Sequence, residues 1–397
     1  MSASTLGCGW LLGLALLCLA AAAPTQAVEV TLSARYQGDS AQRFEHTTPP
    51  ASMCVFFPSM CRRRPSVTVP MGYSKDVKVS TVVRENFYAG VPLARKGWVY
   101  HEQSGEGHEV SLNFKVLSQH VASPNPSRNP AATSYRMAGN CQVQNGAWAS
   151  SHEFVMQWNF DIKPGFCTTR PLYSSIGLRE VVTVSEMGLS YILDLPGVYR
   201  LRPGRYRGSI TYSMGAGGDF DFGDNVENLS DTEVTFNIEL DVEHTFRVEF
   251  GPNSDLAVLE PPGGWTAWLD GGRIPPKIAS DIPLRIWSSG PFRLYKLCEF
   301  AVGERCGLRN KRGEEVPLQV AVTLPRSIRY YQGWQSITRQ PIPTGRAKAL
   351  QLEGQVFTAN GPGQVHFDVA QADLKPMLDR AGERYDGKVT VIFDAEL

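Results

Sequence analysis

The chain has 397 residues, of which 39 are basic and 39 acidic, so its formal net charge is zero. This balance excludes a protein that binds nucleic acid through a basic excess. The length predicts about two or three domains, and 37 glycines with 27 prolines indicate many turns.

The N-terminus carries an export signal. An apolar run at residues 11–22 precedes Thr25-Gln26-Ala27, a small-x-small cleavage pattern. The run is shorter than the roughly 20 residues that a membrane-spanning helix needs. We therefore predict a signal peptide at residues 1–27, cleaved after Ala27, and a mature chain that folds outside the cytoplasm.

Strand patterns dominate the rest of the chain. A short helix is predicted only at residues 370–380. Alternation of apolar and polar residues with a period of two is typical of half-buried strands, and many such strands separated by turns favour an all-β protein built from immunoglobulin-like sandwiches. The predicted strands are residues 28–32, 77–82, 110–114, 154–160, 209–212, 234–240, 245–250, 318–324 and 388–393.

A short internal repeat suggests the domain division. Residues 205–211 read RYRGSIT and residues 384–390 read RYDGKVT. In both copies a glycine two residues after the tyrosine precedes a strand, where it allows a bend or a close backbone approach. We expect late strands of two related domains, at 28–240 and 244–397, joined by a linker at 241–243.

Six cysteines remain once Cys8 and Cys18 leave with the signal peptide. An even number in an exported chain predicts disulfides, and pairing between sequence neighbours is the simplest of many connectivities. Zinc is disfavoured because the sequence has no C-x-x-C pair and no histidine at ligand spacing. The predicted pairs are Cys54–Cys61, Cys141–Cys167 and Cys298–Cys306.

Two exposed features are candidates for ligand binding. Arg62, Arg63 and Arg64 follow a disulfide cysteine, and three guanidiniums held there would suit sialylated or sulfated glycans; the alternative is a solvated basic loop. Trp148 lies in an Asn-Gly-Ala-Trp-Ala segment that predicts an exposed turn, from which the indole could stack on a sugar. Trp158 alternates within a strand and is predicted to be core.

Acidic and histidine-containing turns are weaker candidates. Calcium could use the aspartates of loop 215–224, but EF-hand spacing is absent and a solvated turn is the better prediction. A metal could use the His and Glu of residues 101–109, which a turn between strands explains equally well. Because no G-x-S-x-G, Walker or H-E-x-x-H motif occurs, we predict no metal, no cofactor and no enzyme. A secreted carbohydrate-active protein is the alternative of a different class.

Three motifs resemble those of fimbrial subunits. Residues 384–393, RYDGKVTVIF, are similar to the last strand of such subunits, and residues 201–208, LRPGRYRG, are similar to a fimbrial motif that precedes a strand. Two short-range cysteine pairs in the N-terminal half follow the order of the CblD-like group. The whole mature chain thus resembles the CblD-like initiator and tip adhesins of class 5 (alternate-chaperone) fimbriae of the chaperone–usher type.

This resemblance implies an N-terminal adhesin domain and a C-terminal pilin domain that is an incomplete sandwich. It implies donor-strand complementation, with a periplasmic chaperone, an outer-membrane usher and the next pilus subunit as partners. The chain would pass through the periplasm to the fimbrium tip and bind a host glycan or protein receptor. A strand that begins at Val28, with no free arm before it, fits the tip position. The acidic loop 215–224 does not match the basic receptor site of the family, and a structural minor pilin without receptor binding is the alternative.

The last predicted strand carries the most specific expectation. Val389, Val391 and Phe393 share one apolar face, which should point into the core beside an open groove. The resemblance implies that this strand and Gly387 border the groove that pairs with the chaperone. It also implies that the chaperone holds the carboxylate of Leu397. The alternative is the last core strand of a complete sandwich.

Overall fold

The computed structural model describes residues 27–38, 41–133, 136–141, 143–160, 164–170, 176–380 and 382–395. The signal peptide predicted at residues 1–27, apart from Ala27, and Leu397 lie outside the described residues. The regular secondary structure of the described chain is mainly β-strand, as the alternation predicts, and forms two tandem β-sandwich units. Its helices are short, and none is both long and apolar enough to cross a membrane.

The N-terminal unit contains fifteen described strands and two helical turns. Single 3-10 turns occur at Ser52–Val55, Val83–Glu85, Pro126–Arg128 and Val198–Arg200. The remaining elements are β1 Val28–Gln37, β2 Glu45–His46, α1 Pro58–Cys61, β3 Ser66–Val69, β4 Tyr73–Lys78, β5 Tyr88–Val91, β6 Arg95–His101, β7 Gly107–Ala122, α2 Pro130–Thr133, β8 Arg136–Gly139, β9 Val143–Trp148, β10 Glu153–Asn159, β11 Gly165–Arg170, β12 Arg179–Asp194, β13 Gly204–Ser213, β14 Val226–Glu227 and β15 Glu233–Glu243.

The C-terminal unit contains the other eleven described strands and two helices. A 3-10 turn lies at Arg346–Lys348. The remaining elements are β16 Phe246–Phe250, α3 Thr266–Gly271, β17 Lys277–Ser288, β18 Phe292–Cys298, β19 Ala301–Val302, β20 Arg305–Arg309, β21 Glu315–Thr323, β22 Ile328–Tyr330, β23 Gln340–Pro341, β24 Leu350–Gly354, β25 Thr358–Ala370, α4 Gln371–Leu378 and β26 Val389–Asp394.

The large sheet of the N-terminal unit has the order β14-β4-β12-β7-β6-β13-β15-β1-β2, with β3 on β12 and the β9–β10 hairpin on β7. A smaller sheet has the order β5-β11-β8. Strand β13 is paired on both sides, by β6 and β15, and β15 in turn pairs with β1 in parallel. One hydrophobic core, drawn from residues 30–242, fills this unit.

The C-terminal unit has two sheets around a second core, drawn from residues 278–374. One sheet has the order β16-β17-β25-β21-β20-β19, with β23 beside β21. The other has the order β22-β24-β18-β26. Strands β16 and β26 are therefore terminal strands of their sheets. The helix predicted at 370–380 is confirmed as α4.

The predicted linker is wrong. Residues 241–243 complete β15, where Asp241 lies opposite Arg35 and Glu243 lies opposite Gln37 of β1. The alternation continues through them, because Val242 is buried in the first core. Only His244 and Thr245 separate β15 from β16.

The strand predicted at 77–82 is also misplaced. Strand β4 begins earlier and ends at Lys78, and residues 80–82 bend. The buried side chain of Asn86 donates to the carbonyls of Ser80 and Val82, both at 3.0 Å. These local hydrogen bonds replace the strand ladder.

The two repeat glycines allow the close backbone approach that the sequence predicts. A Cβ on Gly208 would clash with the carbonyl oxygen of Trp98 on β6. A Cβ on Gly387 would lie 2.7 Å from the carbonyl oxygen of Gly307. The flanking tyrosines differ, since Tyr206 is fully buried within β13 whereas Tyr385 precedes β26 and is half-buried.

The three predicted disulfides are confirmed. The Cα–Cα distances are 5.7 Å for Cys54–Cys61, 5.6 Å for Cys141–Cys167 and 5.3 Å for Cys298–Cys306. All three pairs close local loops, so each chiefly limits the conformations of the unfolded chain.

Candidate functional site

A basic cleft of about 660 Å³ lies beside the first disulfide. Arg63 and Arg64 line one side of it, and Arg43 and His46 line the other. Arg62 is exposed but does not line the cleft. The fold thus brings two of the three predicted arginines together with two residues that sequence analysis did not select.

Local structure fixes the position of these arginines. The Cys54–Cys61 disulfide closes a loop made of a 3-10 turn and α1, and Met53 anchors this loop as a fully buried side chain. The chain then enters β3, which pairs with β12. Because both ends of the segment are held, Arg63 is presented from a constrained backbone.

The cleft keeps cationic side chains available for a ligand. Arg43 and Arg63 are exposed and form no ion pair among the described residues. Glu45 is the one acidic side chain among the lining residues. Burial lowers the pKa of His46, so its imidazole is neutral at pH 7. Exposed guanidiniums in a concave site favour an anionic ligand such as a carboxylate or a sulfate ester.

Trp148 does not lie in the predicted turn. It ends β9, a strand at the border of the large sheet, and its side chain is 48% exposed. Asn145 and Gly146 suggested a turn, but Gly146 is a strand residue that leaves room for the ring of Phe154. Trp148 remains a separate candidate for stacking on a ligand. Trp158 is buried as predicted and donates to Gln119 Oε1 at 3.0 Å.

The acidic loop 215–224 is not the solvated turn that we predicted. Arg95 pairs with Asp219 at 2.7 Å. Arg84 contacts both carboxylate oxygens of Asp221 at 2.6 and 3.0 Å and reaches Asp224 at 2.8 Å. The loop is therefore neutralised by arginines from distant segments, which leaves it little charge to offer to a cation.

We expect the ion pairs of Arg84 with Asp221 and Asp224 to make the free energy of unfolding depend on pH. Burial by itself raises the pKa of Asp221, but hydrogen bonds from Arg84 and the Gly223 amide outweigh burial and hold the pKa below its usual range. A lowered pKa stabilises the fold above the unfolded-state pKa of about 4, and this contribution is lost as the pH falls through the folded-state value. Arg84→Ala should cost about 1–2 kcal/mol at pH 6, after discounting for solvent screening, and less at pH 3.

Urea unfolding at several pH values measures this effect. Lys96→Ala is the matched control, because it removes an ion pair between two exposed side chains, Lys96 and Glu109. Its cost should be small at every pH. An Arg84→Ala penalty that is unchanged between pH 6 and pH 3 would contradict the assignment.

The histidine-containing turn joins β6 to β7, as predicted. His101 hydrogen-bonds to Ser104 Oγ at 2.9 Å and to the Pro203 carbonyl at 3.0 Å, so both ring nitrogens are used. Within the described parts of the chain, no group of three or more His, Cys, Asp or Glu side chains is placed to hold a metal ion.

The outer edge of β26 is the second candidate site. Strand β26 pairs with β18 in antiparallel register from Val389 opposite Cys298 to Asp394 opposite Arg293. No other described strand pairs with it. Val389, Val391 and Phe393 pack against the second core, yet all three are only half-buried. A six-residue strand with an apolar face and an unpaired backbone edge can pair with a strand from another polypeptide.

Strand β16 forms the facing border of the same opening. Among the described strands it pairs with β17 alone, and Phe250 at its end is 45% exposed. The rings of Phe250 and Phe393 meet edge-on with centroids 6.4 Å apart. The two sheets thus approach each other through partly exposed aromatic rings, with no described strand covering them.

The N-terminal unit contains a corresponding strand, β13, that is paired on both edges. Strand β13, which carries the first copy of the repeat, is covered by β15 on its outer side. Its inward-facing residues Tyr206, Ile210 and Tyr212 are buried. Strand β26, which begins at Val389 within the second copy, has no buried residue and no counterpart of β15 among the described strands.

Comparisons with known proteins give no family profile and no curated protein that matches the sequence. Solved structures that match include CfaE, the adhesive subunit of CFA/I fimbria of enterotoxigenic Escherichia coli, with 9% identity, 81% of each chain covered and a TM-score of 0.24. A chain of a chaperone–tip adhesin complex of CFA/I fimbriae biogenesis has 10% identity over 93% of this chain and 95% of its own, with a TM-score of 0.24.

A third match comes from the CsuC–CsuE chaperone–tip adhesion subunit pre-assembly complex of archaic chaperone-usher Csu pili of Acinetobacter baumannii. It has 11% identity over 93% of this chain and 98% of its own, with a TM-score of 0.21. At these identities and scores the case for function rests on the geometry of this chain.

Proposed function

We propose that this chain is an adhesive subunit of a chaperone–usher fimbria of the CblD-like kind. The C-terminal unit accepts a strand from another polypeptide, and the N-terminal unit binds a receptor. One observation carries the proposal: the outer edge of β26 has no partner among the described strands, whereas β13 in the same chain is paired on both sides.

The opening has the chemistry of a strand acceptor. An added strand would gain backbone hydrogen bonds along β26 and would bury alternate apolar side chains against Phe250, Val391 and Phe393. Left uncovered, the same edge is a template for aggregation. A periplasmic chaperone that lends a strand first, and the next subunit that replaces it later, would protect the edge throughout assembly at the usher.

The basic cleft favours an adhesin over a structural minor pilin. Arg43 and Arg63 form no ion pairs among the described residues, which costs nothing in water and makes them available to an anionic receptor group. Export through the periplasm to the fimbrium tip follows from the same proposal. A secreted carbohydrate-active protein is the second candidate, and it has no need of an open sheet edge.

Expression in the periplasm separates these functions. Without a chaperone the chain should aggregate or be degraded, because the edge of β26 is exposed. Co-expression with the matching fimbrial chaperone should yield a soluble complex of one copy of each, detected by pull-down and gel filtration. A chain that accumulates folded and monomeric by itself would contradict the proposal and favour the secreted carbohydrate-active protein.

A further inference from the structure

We propose that the cleft at the junction of the two units binds a neutral saccharide. The cleft has a volume of about 630 Å³ and is lined by side chains from both units. The inference needs only the described residues of this chain and is independent of fimbrial assembly. It concerns a different site and a different ligand charge from the basic cleft at Arg63.

Direct contacts hold the walls of this junction cleft together. Glu106 of the first unit accepts from Arg202 Nε at 2.6 Å and from the Tyr331 hydroxyl of the second unit at 3.2 Å. In the two-residue connection, His244 bonds to the Leu201 carbonyl at 2.7 Å and to Ser289 Oγ at 3.2 Å. The site is therefore preformed, which lowers the entropic cost of binding.

An exposed aromatic platform lies in the cleft. Trp334 is 79% exposed. Arg329 Nη1 donates to the backbone carbonyl of Trp334 at 2.7 Å, and the guanidinium carbon of Arg329 lies 5.9 Å from the centroid of the indole ring. Tyr199 and Tyr331 add two further aromatic side chains to the lining. Rings of this kind present an apolar face with polar groups at its border, which suits the apolar face of a sugar ring.

Hydrogen-bonding groups surround this platform. Gln332 and Gln355 line the cleft beside Glu353, whose carboxylate accepts a hydrogen bond from the backbone N–H of Gln332 at 3.1 Å. His108 also lines the cleft, and its Nε2 lies 3.5 Å from Glu106 Oε1. These amide and carboxylate groups can donate to and accept from the hydroxyl groups of a ligand.

The charges of the cleft select a neutral ligand. Two carboxylates, Glu106 and Glu353, and one guanidinium, Arg200, line the cleft, and Glu106 is paired with Arg202. The lining side chains therefore hold no cationic excess for a sialic acid or a sulfate. Planar amide and carboxylate groups beside aromatic rings fit a saccharide that carries hydroxyl groups alone.

The test uses the full chain, in complex with its chaperone where the two co-purify. An array carries neutral oligosaccharides that end in galactose, mannose, glucose or N-acetylglucosamine, beside sialylated and sulfated derivatives. The neutral saccharide that gives the strongest signal is then titrated by calorimetry against Trp334→Ala, Gln355→Ala and Trp334→Phe. Trp98→Ala is the matched control, because this indole is also exposed, at 52%, but lies outside the cleft.

We expect a neutral saccharide to bind at least tenfold more weakly to Trp334→Ala and to Gln355→Ala, while Trp334→Phe retains most of the affinity and Trp98→Ala is unchanged. Unfolding midpoints verify that the variants fold. The inference is overturned if no neutral saccharide binds, if only charged glycans bind, or if Trp334→Ala binds like the unmodified chain. Pairing of a donated strand with β26 is measured in a separate experiment. Saccharide binding and strand pairing can therefore be refuted independently of each other.

Discussion

An extension that supplies the missing strand should raise the unfolding temperature of the C-terminal unit by about 10–20 °C. The extension is a short turn followed by six residues that alternate apolar and polar, so that it runs antiparallel to β26 as β15 runs antiparallel to β13. Three apolar side chains placed on Phe250, Val391 and Phe393 would contribute roughly 5 kcal/mol. For a unit of this size each kcal/mol shifts the unfolding temperature by about 2–4 °C.

A second extension provides the control. It has the same length and turn, but carries serine and lysine at the three inward positions, so it offers the backbone edge without the apolar face. We expect it to raise the unfolding temperature, measured by calorimetry, by only a few degrees. Equal effects of the two extensions, or no effect of either, would show that the unit is already complete.

The second large effect concerns the basic cleft. Replacing both Arg43 and Arg63 by alanine should weaken binding to sialylated or sulfated glycans by about 100-fold. A hydrogen bond to a charged group contributes about 1.5–3 kcal/mol, so two lost guanidiniums remove roughly 3 kcal/mol, and every 1.4 kcal/mol is tenfold. The remaining affinity should fall further as salt is added, because exposed charges are screened.

Arg62→Ala is the matched control for this experiment. Arg62 belongs to the same run of arginines and directly follows Cys61 of the disulfide, but it does not line the cleft. Glycan titration should leave it unchanged, whereas Arg63→Ala alone should lose about tenfold. If Arg43, Arg62 and Arg63 can all be replaced without loss, and Trp148→Ala weakens binding instead, the receptor site lies at β9.

Local sequence predicts much of this fold, because strand alternation and disulfide pairing between neighbours are local properties. The same alternation locates the face of Val389 and Phe393, and the repeat locates Gly208 and Gly387. Prediction from local sequence fails where a side chain forms hydrogen bonds to backbone groups that would otherwise pair in a strand ladder, as the side chain of Asn86 does. It also fails where alternation continues into a presumed linker, as Val242 shows.

The candidate sites depend on contacts that no local pattern reveals. Arg43 joins Arg63 only because β2 and the loop before β3 lie beside one another. Arg84 and Asp221 are 137 positions apart in the sequence, so local sequence does not reveal that the acidic loop is paired with arginines. Periodicity likewise gives the inward face of β26, but not the identity of its neighbours in the sheet.

Hydrogen exchange of the amides in β26 tests the open edge most directly. In the chain alone, freshly released from its chaperone at low concentration, amides that point towards β18 should be protected and those that point to the outer edge should exchange quickly. In the chain with the apolar extension, the outer amides should become protected as well. Uniform protection along Val389–Asp394 in the chain alone, unchanged by the extension, would contradict an unpaired edge and the strand acceptance inferred from it.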